Sequence, residues 1–369
     1  MRVTVIGAGI MGLSTAWALH RRGHSVTVVE QYAVPNPLGS SVDQHRLIRY
    51  AYGAMAGYAA MVAPAYAAWD RVWADLGETL YVETGTLAIG TERHRWLNDS
   101  ATVLEQAGTP VEFLDMDDLG RRFPLIDTSG LDRAFHLPTG GILLAGKIVK
   151  SLARHLTRQG VAILSHTTAK NIDPETARVE LADGRTLEAD RLVVAAGPWV
   201  RRLLPDFGTR VTPSRQVVCY LKPPAAQAAA WAAMPMVLDI DPKRGFYLVP
   251  PVAGTGMKIG DHTFTLTGDP DRDREAEKGE AEALVAACRG RFADFSGFGI
   301  EGGETCFYTV EKDEKFIVES VGAAGWVMTG FSGHGFKFGP LLGEAMVGAL
   351  EGTRDAWELT HWAAGEGVQ

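Results

Sequence analysis

The chain opens with an apolar run, Val3-Thr4-Val5-Ile6, then Gly7-Ala8-Gly9-Ile10-Met11-Gly12, then an Ala- and Leu-rich stretch to Arg22-Gly23. A second β-branched run, Ser25 to Val29, closes on Glu30. β-Branched runs favour strands and Ala/Leu-rich runs favour helices, so the order predicts strand, glycine turn, helix, strand and acid. Each glycine then has its own task. Gly7 allows the tight turn, Gly9 lets a pyrophosphate approach the backbone, and Gly12 lets the helix pack closely on the strand. Ile10 and Met11 open the helix, where unpaired N–H groups and the helix dipole favour phosphate. Glu30, eighteen residues past Gly12, is placed to accept from a ribose hydroxyl. The stretch predicts a dinucleotide site. A glycine turn that binds nothing is the alternative, and the flanking strands and the acid argue against it.

Beyond Glu30 the pattern breaks at Gln31 to Gly39, a loop with two prolines. Arg46 and Arg49 follow, three apart, a spacing that on a helical turn puts both guanidinium groups on one side. The local sequence also reads as a solvated basic edge. Tyr58 to Leu76 has helical spacing of apolar residues and is expected to kink or restart at Pro64. Strands are expected at Thr84 to Gly90 and Val111 to Leu114, a helix at Glu92 to Gln106, and an extended segment near Leu137 to Leu144. Gly146 to Gln159 predicts an amphipathic helix, followed by a strand from Val161. A hairpin around Asp183-Gly184 comes next. Arg191 to Trp199, with Ala195-Ala196-Gly197 within it, is apolar without alternation, as in a strand covered on both faces. It returns the chain to the nucleotide unit and places Ala196 and Gly197 at the cofactor.

From Val211 to Phe264 the pattern is β-like, with strands at Gln216 to Leu221, Gly245 to Val249 and Gly256 to Gly260. Pro223 to Ala233 reads as a surface excursion, and Asp269 to Glu282 as a helix with one charged, solvated face. Strands at Glu304 to Tyr308, Lys315 to Glu319 and Trp326 to Gly330 precede a last helix at Leu341 to Leu350. The reading is α/β with an α+β second domain, the nucleotide unit being left and re-entered twice.

The bulk numbers narrow the function classes. With 369 residues, 46% hydrophobic and 22% charged, the chain suits a folded two-domain enzyme. A net charge of -8 argues against a nucleic-acid partner. Cys219, Cys288 and Cys306 lie far apart, fitting neither a disulfide framework nor a zinc site, so a reducing cytoplasm and no metal are expected. No charged-then-apolar leader and no run of roughly 18 apolar residues is visible, so no membrane partner is expected.

The densest chemistry lies at Gly330-Phe331-Ser332-Gly333-His334-Gly335-Phe336-Lys337-Phe338-Gly339-Pro340. Its glycines let backbone approach something flat and bulky, and the following helix start favours negative charge. Lys337 adds a cation, although in isolation it reads as a surface lysine.

Together, the opening glycine turn, His45 to Gly53, Met257 to His262, Cys306-Phe307-Tyr308-Thr309 and Phe331 to Lys337 resemble monomeric sarcosine oxidase and N-methyltryptophan oxidase. These are flavin amine oxidases of the D-amino-acid oxidase superfamily. The motifs occur in family order along nearly the whole chain. The resemblance implies a Rossmann-type FAD-binding domain (1–80, 146–210, 312–369) and a discontinuous, β-sheet-based substrate domain (81–145, 211–311). It implies FAD bound by Gly7, Gly9, Ile10, Met11, Gly12, Glu30, Arg46, Ala196, Gly197, Gly333, His334, Gly335, Phe336 and Lys337, and tethered through a thioether to Cys306. Such a link requires a thiolate, whereas a lone buried cysteine is by itself a small hydrophobe.

The resemblance also assigns roles at the substrate. Arg49 and Lys337 would grip its carboxylate, Tyr247 and His262 would line its pocket, and Arg46 would lie against the flavin. Lys258 would stand where dioxygen is reduced, a fixed ammonium there stabilising superoxide. A small-molecule amino acid, as the neutral secondary amine, would pass a hydride equivalent to the flavin. The imine left behind would be hydrolysed, and dioxygen would take the electrons as hydrogen peroxide. A monomer is implied. Ser41-Val42 replaces a histidine pair of sarcosine oxidase, and Leu238 to Lys243 also departs from its pattern, so sarcosine is one candidate among secondary amines. Two other readings remain: a dehydrogenase serving a non-oxygen acceptor, and a flavin-binding subunit without activity of its own.

Overall fold

The computed structural model describes residues 1–240 and 245–367. The opening pattern folds as strand β1 (Arg2–Ile6), helix α1 (Ile10–Arg21) and strand β2 (Ser25–Val29). β1 and β2 pair in parallel, from Arg2 opposite Ser25 to Ile6 opposite Val29. They lie inside a six-stranded sheet ordered Ile317–Val321, Gly325–Thr329, Arg191–Val194, β1, β2, Ala162–Leu164. The pairings are parallel except that between Ile317–Val321 and Gly325–Thr329.

Both faces of this sheet are covered, which is why its strands read as unrelieved apolar runs. On one face α1 packs against the helix Gly339–Leu350. A Cβ on Gly343 would come within 2.7 Å of the Ser14 backbone, so this helix pair depends on glycine for its close approach. On the other face a three-stranded meander, Ala169–Asp173, Arg178–Leu181 and Thr186–Glu188, buries Val179 and Leu181 against Ile6, Val29 and Val194. Its turn is the hairpin expected at Asp183-Gly184.

The second large sheet has eight strands, ordered Gly299–Glu311, Val211–Lys222, Met257–Gly260, Phe246–Val249, Met236–Asp239, Thr86–Gly90, Arg133–Leu137, Glu112–Leu114. All pairings are antiparallel except Met236–Asp239 with Thr86–Gly90. The helix Lys278–Arg289 seals one face with Leu284, Val285 and Cys288 against Cys219, Leu221 and Ile259. A three-stranded sheet of Arg46–Ile48, Gly141–Leu143 and Tyr81–Glu83 completes the strand set. Among the described residues no helix is long and apolar enough to cross a membrane.

Several local expectations are corrected. Of the two outcomes expected at Pro64, the restart does not occur: Ala56–Leu76 is one continuous helix. One missing backbone hydrogen bond is offset there by burial of Met61, Val62, Ala65, Trp69 and Val72. Pro223 to Ala233 is not only a surface excursion, because Trp231 is fully buried with its ring 4.7 Å from that of Phe292. The charged run becomes helical only at Lys278, where Glu277 and Glu280 form a capping box. Leu341 to Leu350 is not the last helix. Ala356–Ala363 follows it, N-capped by Asp355.

Candidate active site

The nucleotide turn shows why each glycine is there. Gly7 has φ 103°, and a Cβ on it would meet the Ala195 carbonyl oxygen at 2.3 Å. A Cβ on Gly12 would lie 1.8 Å from the Gly7 carbonyl oxygen. At Gly9 the only near neighbour of a Cβ would be the Ser41 side chain, with Oγ at 3.1 Å, so the backbone here is open to a ligand. The helix start has no side-chain cap from Gly9 itself. Ile10 N instead donates to Ser41 Oγ at 2.9 Å. Glu30 is buried, and its carboxylate accepts from Ala8 N at 2.9 Å, Asn36 Nδ2 at 3.0 Å and Tyr32 N at 3.1 Å. Burial raises its pKa, and these hydrogen bonds pull it back.

From this turn a cleft enclosing ≈ 1360 Å³ of free space, mouth included, runs past Ile10, Met11, Ala196 and Gly197 to Arg46, Tyr308, Gly333, Gly335 and Phe336. A bare helix start, a buried acid and a long groove floored by glycine suit a dinucleotide. Gly12, Cys306, His334 and Lys337 are not in the lining. Gly12 works through packing, and Cys306 lies 3.6 Å from Arg46, which does line the cleft.

Two cation pairs stand near the far end, and they are built differently. In the first, Lys258 Nζ donates to Asp43 Oδ2 at 2.9 Å and to the His45 carbonyl at 2.8 Å. Arg46 Nη1 donates to the same Asp43 oxygen, and the Tyr220 hydroxyl donates to Oδ1. Lys258 and Tyr220 reach one carboxylate because they are cross-strand partners on Met257–Gly260 and Val211–Lys222. Burial raises the Asp43 pKa, but Lys258, Arg46 and the Tyr220 hydrogen bond outweigh it and leave it well below the usual carboxylate range. Arg46 Nη2 also lies 3.6 Å from Cys306 Sγ. Burial raises the Cys306 thiol pKa, with Arg46 foremost among the cations lowering it. A thiolate at Cys306 therefore depends on those cations.

The second pair has no carboxylate. Arg49 is 8% exposed, with its guanidinium carbon 5.0 Å from the Tyr52 ring centroid and 5.4 Å from that of Trp96. Its Nη1 has no hydrogen-bond partner among the described residues. Lys337, 4% exposed, donates from Nζ to the Tyr52 hydroxyl at 2.7 Å and the His334 carbonyl at 3.0 Å. Burial and then Arg49 push the Lys337 pKa well below its ordinary value. His262 sits in the same field: its side chain is open to solvent, yet the protein packed around it, then Arg49 and Lys337, lower its pKa to about 3. Its ring is 5.7 Å from that of Tyr247, edge on, and the Tyr247 ring lies across Gly260. Glu314 influences Arg49 without forming an ion pair. Among the described residues no carboxylate reaches ion-pair distance of Arg49 or Lys337.

The expectation that Arg46 and Arg49 point the same way from a helical turn is wrong. Arg46–Ile48 is a strand paired with Gly141–Leu143, so residues three apart face opposite ways. Arg46 goes to Asp43 and Cys306, Arg49 to Tyr52 and Trp96. Neither is a solvated basic edge. Asp43, Tyr52 and Tyr220 were not picked out from the sequence. The only sequence signal at Asp43 is an acid three residues before Arg46, uninformative without its distant partners. Of Leu238 to Lys243, residues 241–243 lie outside the described residues.

The fold and the cleft define a Rossmann-type nucleotide-binding oxidoreductase. The chain belongs to the DAO family of FAD dependent oxidoreductases, whose family model matches residues 2–349. It is 27% identical to monomeric sarcosine oxidase of Bacillus sp. (strain B-0618), over 100% of this chain and 97% of that protein. It is 30% identical to peroxisomal sarcosine oxidase of Mus musculus, over 93% and 90%. It is 29% identical to N-methyl-L-tryptophan oxidase of Yersinia pestis (strain Pestoides F), over 92% of each chain. The fold matches L-proline dehydrogenase from P. horikoshii with a TM-score of 0.84 at 18% identity, covering 99% of this chain and 96% of that one. It matches NikD, an unusual amino acid oxidase essential for nikkomycin biosynthesis, with a TM-score of 0.81 at 20% identity, covering 100% and 98%.

The protein is therefore FAD-dependent, and the glycine turn offers a direct check. Gly7→Ala is expected to purify with little flavin. The substitution adds a strained positive φ costing about 1 kcal/mol to a backbone clash at 2.3 Å. The ratio of visible to protein absorbance measures it, and full flavin occupancy would show that the turn tolerates a Cβ.

Proposed function

We propose that the chain is an FAD-dependent oxidase of secondary-amine amino acids, N-methyl or cyclic imino acids, forming an imine and hydrogen peroxide. The observation that carries this is the contrast between the two cation pairs: Lys258 and Arg46 share a built-in carboxylate, whereas among the described residues Arg49 and Lys337 have none. Two buried cations side by side, with a free guanidinium N–H, are costly unless a ligand brings the anion. An amino-acid carboxylate supplies it, with the Arg49 fork giving direction and Lys337 charge.

In this reading Tyr247 and His262 wall the pocket beside the amine. His262, held neutral, places no cation there. The flavin, when bound, accepts a hydride equivalent from the carbon next to nitrogen and passes the electrons to dioxygen. Arg46 would lie against it, with Lys258 at the site of oxygen reduction. Cys306 would tether it through a thioether, Arg46 favouring the thiolate. Gly333, His334, Gly335 and Phe336 would back the reactive ring.

Peroxide release in air, screened over sarcosine, other N-methyl amino acids, proline and pipecolate, tests the reading. Release with at least one carboxylate-bearing secondary amine is expected. Turnover with an artificial electron acceptor but none with dioxygen would replace the oxidase by a dehydrogenase. The tether has its own assay: acid-precipitated wild-type protein should stay yellow and Cys306→Ser should not. A colourless wild-type pellet would remove the covalent link.

A further inference from the structure

We propose that Asp43 is the counter-ion that keeps Lys258 an ammonium beside the Arg46 guanidinium, so that a cation persists where dioxygen would be reduced. This rests on the proposed place of Lys258 in oxygen reduction. It goes beyond that reading by assigning the charge state to a loop residue.

Lys258 is 2% exposed and has two hydrogen-bond partners, Asp43 Oδ2 at 2.9 Å and the His45 carbonyl at 2.8 Å. Only the first carries charge. Arg46 shares that oxygen and repels Lys258. The other titratable groups facing Lys258, among the described residues, are His45 on the loop, Tyr220 on the paired strand, and Glu304 and Cys306 on the strand beyond. His45 is held neutral, driven down to about 3 by burial and then by Lys258 itself. Tyr220 spends its proton on Asp43, burial favours the neutral form of Cys306, and Glu304, exposed to solvent, makes no ion pair or hydrogen bond with Lys258 among the described residues. Asp43 is left as the anion in contact.

The chain contains its own comparison. Lys337 is equally buried beside an arginine but has no carboxylate at ion-pair distance among the described residues, and it is driven well below its ordinary value. Lys258 differs in having Asp43 to oppose burial and Arg46. Without that carboxylate, Lys258 would share the condition of Lys337. Asp43 is a positioning residue in this scheme, acting only through Lys258.

The sign follows directly. An ammonium is present below its pKa and lost above it, and Asn at position 43 lowers that pKa. Reoxidation of substrate-reduced Asp43→Asn holoenzyme, followed by rapid mixing with dioxygen, should show a step at lower pH than any in wild type and fall about ten-fold per pH unit above it. Wild type should be flat there. The affinity of oxidised holoenzyme for sulfite, read as bleaching of the visible band, should show the same step, since that anion senses the same charge. Asp43→Asn tracking wild type in both titrations would overturn the proposal.

Thermal unfolding of the apoprotein supplies a test independent of the flavin. Asp43→Asn with Lys258→Met should unfold at a higher temperature than Asp43→Asn alone, because the second change removes the unpaired charge. A double variant no more stable than the single one would also overturn the proposal. This comparison holds even where Asp43→Asn alone folds poorly. Wild-type reoxidation by Lys258→Met would instead remove Lys258 from oxygen reduction, leaving the unfolding and sulfite measurements to judge the counter-ion.

Discussion

Lys258→Met is expected to leave anaerobic reduction by the amino acid nearly intact while slowing reoxidation by dioxygen roughly 100- to 1000-fold, the range lost when one preorganised charge is removed from a developing anion. Each factor of ten is about 1.4 kcal/mol of barrier. The two half-reactions separate because the substrate is gripped elsewhere, at Arg49 and Lys337, whereas Lys258 faces Asp43 and Arg46. Methionine fills a similar volume, and Asp43 keeps two donors, Arg46 and Tyr220, so the loop retains its anchor. Stopped-flow traces of each half-reaction decide the matter. If both slow together, Lys258 is a structural element of the whole site; if neither changes, electrons leave by another route.

The parts of the site legible in the sequence are those whose reasons are local. The glycine turn is so because Gly7 and Gly12 answer contacts within the first βαβ unit and the strand beside it. Glu30 closes the next strand, and its donors Tyr32 and Asn36 lie within six residues. Arg46 and Arg49 were misread because a three-residue strand has no periodicity of its own. Its partner, Gly141–Leu143, decides its direction from the far side of three helices and four strands. Asp43 was not legible because its meaning lies 177 residues away in Tyr220 and 215 away in Lys258. Cys306 stood out only through family resemblance, and Lys337, though marked by its glycine-rich stretch, took its role from that resemblance. Nothing near Lys337 in sequence announces that Arg49 stands beside it without a carboxylate.

Arg49 carries the second large effect, because here function and stability should move apart. Arg49→Met is expected to lower kcat/KM by roughly 100- to 1000-fold, equivalent to about 3–4 kcal/mol, chiefly through loss of carboxylate binding. Arg49→Lys should recover part of that loss, since it restores charge but not the fork. A cation paired with a native carboxylate would lose stability when truncated. Among the described residues Arg49 has no such partner, and its Nη1 is unsatisfied. Its removal also relieves Lys337, whose pKa is driven down by burial and then by Arg49. The apoprotein of Arg49→Met should therefore unfold at the wild-type temperature or above it. Lower activity with equal or higher stability would mark a residue held at a structural cost for an anionic ligand. Equal loss of both would mean that Arg49 serves the fold, through its rings at Tyr52 and Trp96, and the carboxylate would have to be sought elsewhere.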